Sequence, residues 1–132
     1  MFDRILPIAV PLFGCAFFTV LFLQSGLDKV FDRKGNLSWL VPHFEKSPLK
    51  GRVPLLLSFI TLMELATGIL SLVGALDSLF EFGLGMATVA LCLAALTLVI
   101  LFAGQRIAKD YAGAASLAAY FAVALIAISA SN

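Results

Sequence analysis

Hydrophobic residues along this chain fall into four long runs, 5–26, 53–75, 82–103 and 111–130, separated by shorter stretches rich in charge, Pro and Gly. Each run is close to the roughly 20 apolar residues that carry a helix across the hydrocarbon core of a bilayer. The pattern predicts an all-α integral membrane four-helix bundle, with 1–132 forming a single transmembrane domain. Polar and small residues inside the runs recur at the helical period. In the first span Cys15, Thr19, Phe22, Gly26 and Lys29 share a face, and in the second Thr61, Thr67, Gly68 and Ser71 lie three, four and seven places from Glu64. These two stripes are expected to face other helices. Pro7 and Pro11 are expected in the first turns of the first helix, where a missing amide donor costs least. Gly83 and Gly85 are expected to permit close backbone approach where the third span begins. In the fourth, Ala114, Ala118 and Ala122 stand four apart and, with Gly26 and Gly68, read as small-residue packing positions.

The stretch between the first two spans is the only sizeable one outside the runs. Leu37, Leu40, Val41 and Phe44 recur there at helical spacing beside Trp39, and Ser38 can cap a short helix with Pro42 in its first turn. This predicts an interfacial amphipathic helix over about 36–47, anchored in the membrane surface by Trp39 and Phe44. The 76–82 turn carries two acids, Asp77 and Glu81.

Composition agrees with the pattern. The 132 residues are 61% hydrophobic and 13% charged, about half the charged share of a soluble domain. A net charge of +1 gives no basis for nucleic-acid binding. Charge placement is more informative than its sum. Lys29, Arg33, Lys34, Lys46, Lys50, Arg52, Arg106 and Lys109 all fall on the side of the 27–52 and 104–110 segments, and only Arg4 falls with the termini. Basic residues concentrate in cytoplasmic loops, so both connecting segments are expected on the cytoplasmic side and both termini outside. The first run, too long for a leader's apolar region and without a small-residue cleavage site, reads as a retained span.

The residue that invites a chemical reading is Glu64. It stands alone in an uncharged run, roughly 16 Å along the helix from its Arg52 end, and must be protonated, paired or turned toward water. It is the candidate catalytic group, with an interhelical hydrogen bond as the structural alternative. Lys29 and Arg106, with Gln24 and Gln105 as neutral partners, are candidate ligand-binding residues at the basic end. The cations read equally as anchors whose charged heads extend to the interface. His43 lacks a second histidine for haem ligation. Cys15 and Cys92 have neither CxxC spacing nor a ligand set around them, so no metal site is expected, and their similar depths allow them to meet across the first and third spans.

The segments QSGLDK, WLVPHF, MELATG and GQRIAKDYAG, in that order, resemble the DoxX family of small bacterial membrane proteins over nearly the whole chain. Gly26 with Lys29 matches the end of that family's first helix, and Glu64 with Gly68 its E-x-x-x-G. The chain departs from it after Gly74, where Asp77 and Glu81 replace a basic residue. The resemblance implies a role beside redox enzymes, and no agreed catalytic residue to carry over. Three function classes follow. The first is an accessory subunit of a membrane redox or respiratory complex. The second is a quinone-handling oxidoreductase component in which Glu64 transfers a proton. The third is a small transporter with Glu64 at the midplane. Quinone is the one candidate cofactor, with no motif for haem, flavin or iron–sulfur clusters. The expected partners are the lipid bilayer and either other subunits or further copies of the chain.

Overall fold

The structure, a computed structural model, describes residues 2–80 and 83–131, with side chains from Leu6 onward. Glu81 and Phe82 lie outside the described residues, and with them part of the acidic turn. Five helices follow in order: α1 Phe2–Phe31, α2 Arg33–His43, α3 Val53–Leu79, α4 Gly85–Ile107 and α5 Tyr111–Ala130. Four of them, all but α2, are long and apolar enough to span a membrane. The chain is a multi-pass membrane protein built as a four-helix bundle, and no strand occurs among the described residues. The spans pack in sequence order, α1 on α3, α3 on α4, α4 on α5, and α5 back on α1, with α1 also reaching α4 across the centre. Short connections between successive spans make each an antiparallel neighbour of the next. The 32–52 and 108–110 connections share one end of the bundle, here termed the basic end.

The α1–α3 contact is the most extensive among the described residues, and two glycines bring its backbones close. A Cβ added at Gly68 would sit 2.9 Å from the backbone nitrogen of Leu23, and one at Gly26 would sit 3.3 Å from that of Leu65. Each helix thus presents a glycine to the other's leucine, three residues along an antiparallel seam. In lipid, where helix association gains nothing from burying apolar surface away from water, this closeness supplies the dispersion contact. Most members of the two inward stripes expected from the sequence are buried, Cys15, Phe22 and Gly26 on α1 and Thr67, Gly68 and Ser71 beside Glu64 on α3, while Thr19, Lys29 and Thr61 are half-buried and Phe18 joins the buried face of α1.

Several expectations need correction. Helix α1 begins at Phe2, so Pro7 and Pro11 lie inside it, and the amide missing at Pro11 leaves the carbonyl of Pro7 without its helical donor. Beyond the span's end at Gly26 the same helix continues through Lys29, as the sequence leads one to expect, and ends at Phe31. Spans α3 and α4 also run past their expected ends, to Leu79 and Ile107. Helix α2 starts at Arg33 because Asp32 caps it, its carboxylate accepting from the Gly35 amide at 3.2 Å. Ser38 sits mid-helix, donating back to the Lys34 carbonyl at 2.9 Å, and Pro42 falls in the last turn. A Cβ added at Gly83 or Gly85 would meet nothing within 4 Å among the described residues. The close contact at that end is Gly74 against Ala87, where an added Cβ would meet the Ala87 Cα at 2.9 Å. Gly83 is instead a turn residue, with φ of 102°. On α5 only Ala114 of the expected ridge is buried. Ala118 and Ala122 face outward, while Ala124 and Ala127 pack inward, Ala127 beside Gly14.

Gly68→Ala is expected to lower stability by about 1–3 kcal/mol, the usual range for overpacking a tight core, because backbone rather than a flexible side chain must give way. Gly85→Ala, with open space around it, should stay within about 0.5 kcal/mol of wild type. Unfolding titrations in mixed micelles would compare the two, and equal losses would mean that the α1–α3 seam is not the tight contact.

Candidate functional site

Because the seam is narrow, Lys29, one turn beyond Gly26, reaches Glu64 on the facing helix. Its Nζ lies 2.8 Å from Glu64 Oε1, with the carboxylate side chain 2% and the lysine 17% exposed. Helical side chains lean toward the N-terminus of their own helix, so a lysine near the end of α1 leans into the bundle. Lys29 also donates to Ser25 Oγ at 2.7 Å, one turn back on α1. The contact with Glu64 is one of charge: the ammonium approaches off the hydrogen-bonding angles, and Oε1 has no other polar partner. This settles how Glu64 is accommodated below the basic end. It is paired, and the lysine has turned inward to do it, where an interface anchor would extend outward.

The polar stripe of α3 continues below the pair. Thr67 and Thr97 meet across the α3–α4 interface with hydroxyl oxygens 2.9 Å apart, and each also lies within reach of its own helix's carbonyl, Met63 or Leu93. A hydroxyl has one proton, so one threonine donates across the interface while the other donates along its helix. Ser71 Oγ, one turn further, is buried without a hydrogen-bond partner.

A cavity of about 380 Å³ opens above this level, between α3 and α4 and beneath α2. Its walls are mostly apolar, with Leu56, Ile60, Ile100 and Leu101 among them, and its polar groups are few: Lys29, Asn36, the Trp39 indole and Gln105. That size is at the small end of ligand pockets, and the lining, apolar with a few convergent polar groups, is the kind such pockets have. The roof is fastened at three points. Arg33 donates to the Pro54 carbonyl at 3.0 Å, an oxygen at the start of α3 that also accepts from the Ser58 hydroxyl at 3.1 Å. Asn36 donates to the Asp28 carboxylate on α1 at 3.3 Å. His43 Nε2 lies 3.0 Å from Gln105 Oε1 and 3.7 Å from Asp110, whose other oxygen caps α5 at the Gly113 amide at 2.9 Å. Trp39 stacks on the His43 ring, with centroids 4.4 Å apart.

The expected site residues therefore separate. Lys29 and Gln105 line one cavity, with Glu64 directly behind the lysine. Arg106 stands apart, its guanidinium 4.6 Å over the Tyr111 ring, and Gln24 is on the exposed surface of α1. Trp39 is exposed as an anchor should be, whereas Phe44 is half-buried and lines the cavity. His43 is half-buried and joins α2 to the α4–α5 turn. Cys15 and Cys92 do not meet: Cys15 is buried with its sulfur 3.9 Å from the Ala87 carbonyl, and Cys92 is exposed. No group of three potential metal-ligating side chains occurs among the described residues. Sequence reasoning missed Arg33 and Asn36, whose roles depend on how the chain doubles back, although a basic residue and an amide one turn after a capping Asp were visible.

Fold and site together define a small multi-pass helical membrane protein with a buried lysine–glutamate pair beside a roofed cavity. Compared with family models, with curated proteins and with solved structures, the chain matches none.

Replacing Lys29 by Met is expected to cost about 3–5 kcal/mol, the usual loss when a buried ion pair is broken from one side. Glu64→Gln should cost less, since the ammonium keeps its bond to Ser25 Oγ and is itself partly exposed. Adding Glu64→Gln to Lys29→Met should recover part of the loss. Strictly additive losses in a double-mutant cycle, followed by unfolding in detergent, would show that the two side chains are not coupled.

Proposed function

We propose that this chain is an accessory subunit of a membrane redox or respiratory complex and that its cavity binds a quinone. The observation that carries the reading is the Lys29 ammonium, backed by Glu64, on the wall of an otherwise apolar cavity that borders the lipid-facing sides of α3 and α4. A lipid-soluble ligand with a polar head needs this combination, a dry slot for its chain and a donor at one end. In this reading Lys29 polarises a quinone oxygen, Gln105 supports the head from the other wall, and Glu64 exchanges the proton that accompanies reduction or oxidation. The electrons come from a partner subunit, because the chain's own groups supply binding, orientation and a proton path. The resemblance to DoxX-like proteins supports the same assignment. The outward alanines Ala118 and Ala122 offer a smooth surface for a neighbouring subunit. The resemblance implies a bacterial inner membrane, and the distribution of basic residues supports an orientation with both termini in the periplasm.

Mild extraction of the native membranes, followed by native gel separation and mass spectrometry, is expected to find this chain co-migrating with redox subunits and to recover bound quinone. A homo-oligomer free of other subunits and of quinone would overturn the proposal. In the intact complex, Glu64→Gln should slow quinone turnover while leaving assembly unchanged, and unaltered turnover would remove Glu64 from the proton path.

A further inference from the structure

We infer that the cavity selects ligands whose polar head is uncharged, and that Glu64 sets this selection from behind Lys29. The inference rests on the reading of the cavity as a ligand site. Among the described residues that line it, Lys29 is the one with a formal charge. A lone ammonium on an apolar wall would attract an anionic head such as a phosphate or a carboxylate, because a charge-assisted hydrogen bond is about twice as strong as a neutral one. Here that attraction is already spent. Glu64 lies 2.8 Å from Nζ, almost fully buried and off the cavity wall, so the pair presents no net charge to the cavity.

An anionic head would place a second negative charge beside the first, with a single cation between them and little water to screen either. A carbonyl or hydroxyl oxygen brings no such conflict. An ammonium has three N–H donors. One is used on Ser25 Oγ at 2.7 Å, the Ser25 carbonyl is met at the 3.5 Å limit, and Glu64 is a charge contact off the hydrogen-bonding angles, which leaves the ammonium a donor for a neutral acceptor. The other polar groups on the walls, Asn36, Trp39 and Gln105, are neutral as well. Glu64 is thus a positioning residue whose effect on specificity is an exclusion, a charge built against the wrong ligand.

The test uses two ligands with the same ten-carbon chain, decylubiquinone with a neutral head and decyl phosphate with an anionic one. Trp39, the only tryptophan, lines the cavity and reports occupancy by fluorescence. With the full-length protein in nanodiscs of neutral lipid, decylubiquinone is expected to quench Trp39 saturably, and decyl phosphate to bind about tenfold or more weakly. Glu64→Gln leaves Lys29 unbalanced and should tighten decyl phosphate about tenfold relative to decylubiquinone. The uncharged double variant, Lys29→Gln with Glu64→Gln, should show no such gain. Wild-type protein that binds decyl phosphate as tightly as decylubiquinone overturns the inference while leaving the ligand site intact. So does a Glu64→Gln variant that keeps the wild-type ranking. If that variant does not fold, the wild-type ranking decides alone. Saturable quenching by neither ligand removes the ligand site itself, and the inference with it.

Discussion

The structure depends on the closeness of α1 and α3 at Gly26 and Gly68. Two backbones in near contact leave no room for a side chain between them, and the next residues along the seam are brought face to face. Lys29 and Glu64 are those residues. A carboxylate deep in a span has few stable states, and the one adopted here needs a cation within about 3 Å that is itself held in place. Ser25 holds it. Glycine seam, serine and ion pair form one unit, in which the packing of two helices fixes the position of a charge.

The cavity depends on a different feature, the way the chain reverses between α1 and α3. Asp32 stops one helix and caps the next, Arg33 and Asn36 tie the new helix to its neighbours, and residues 44–52 return the chain to the start of α3. The result covers the gap between α3 and α4 without filling it. No residue of α2 is buried, so this helix is held by a few polar contacts and by the surface it lies on. The side with chemistry is also the side with the weakest packing, as is common for lids over ligand sites.

The four spans, the inward faces of α1 and α3, and the isolation of Glu64 were legible in the sequence, because a 3.6-residue period in an apolar run carries that information directly. Lys29 was ambiguous for a physical reason. A lysine one turn from a helix end can reach water or reach inward, and the choice depends on what the facing helix offers. The α5 ridge was misread because that helix is rich in alanine on every side, which leaves no period to distinguish the face toward Gly14 from the face toward lipid. Gly74 took the role expected of Gly83 and Gly85, since a close approach requires two helices and the sequence of one does not name its neighbour. The roof over the cavity lay furthest from view: its bonds join residues far apart in sequence, such as His43 with Gln105.

The pairing of Lys29 with Glu64 also bears on how the chain enters the membrane. A span with a lone charge near its middle inserts at a penalty of about 2.5–3.5 kcal/mol on biological insertion scales. Helix α3 carries such a charge, and the residue that balances it is made earlier, at the end of α1. With the two charges on successive spans, the penalty that α3 would carry alone is offset once α1 and α3 meet as a hairpin, and the span made first supplies the cation that the second one needs.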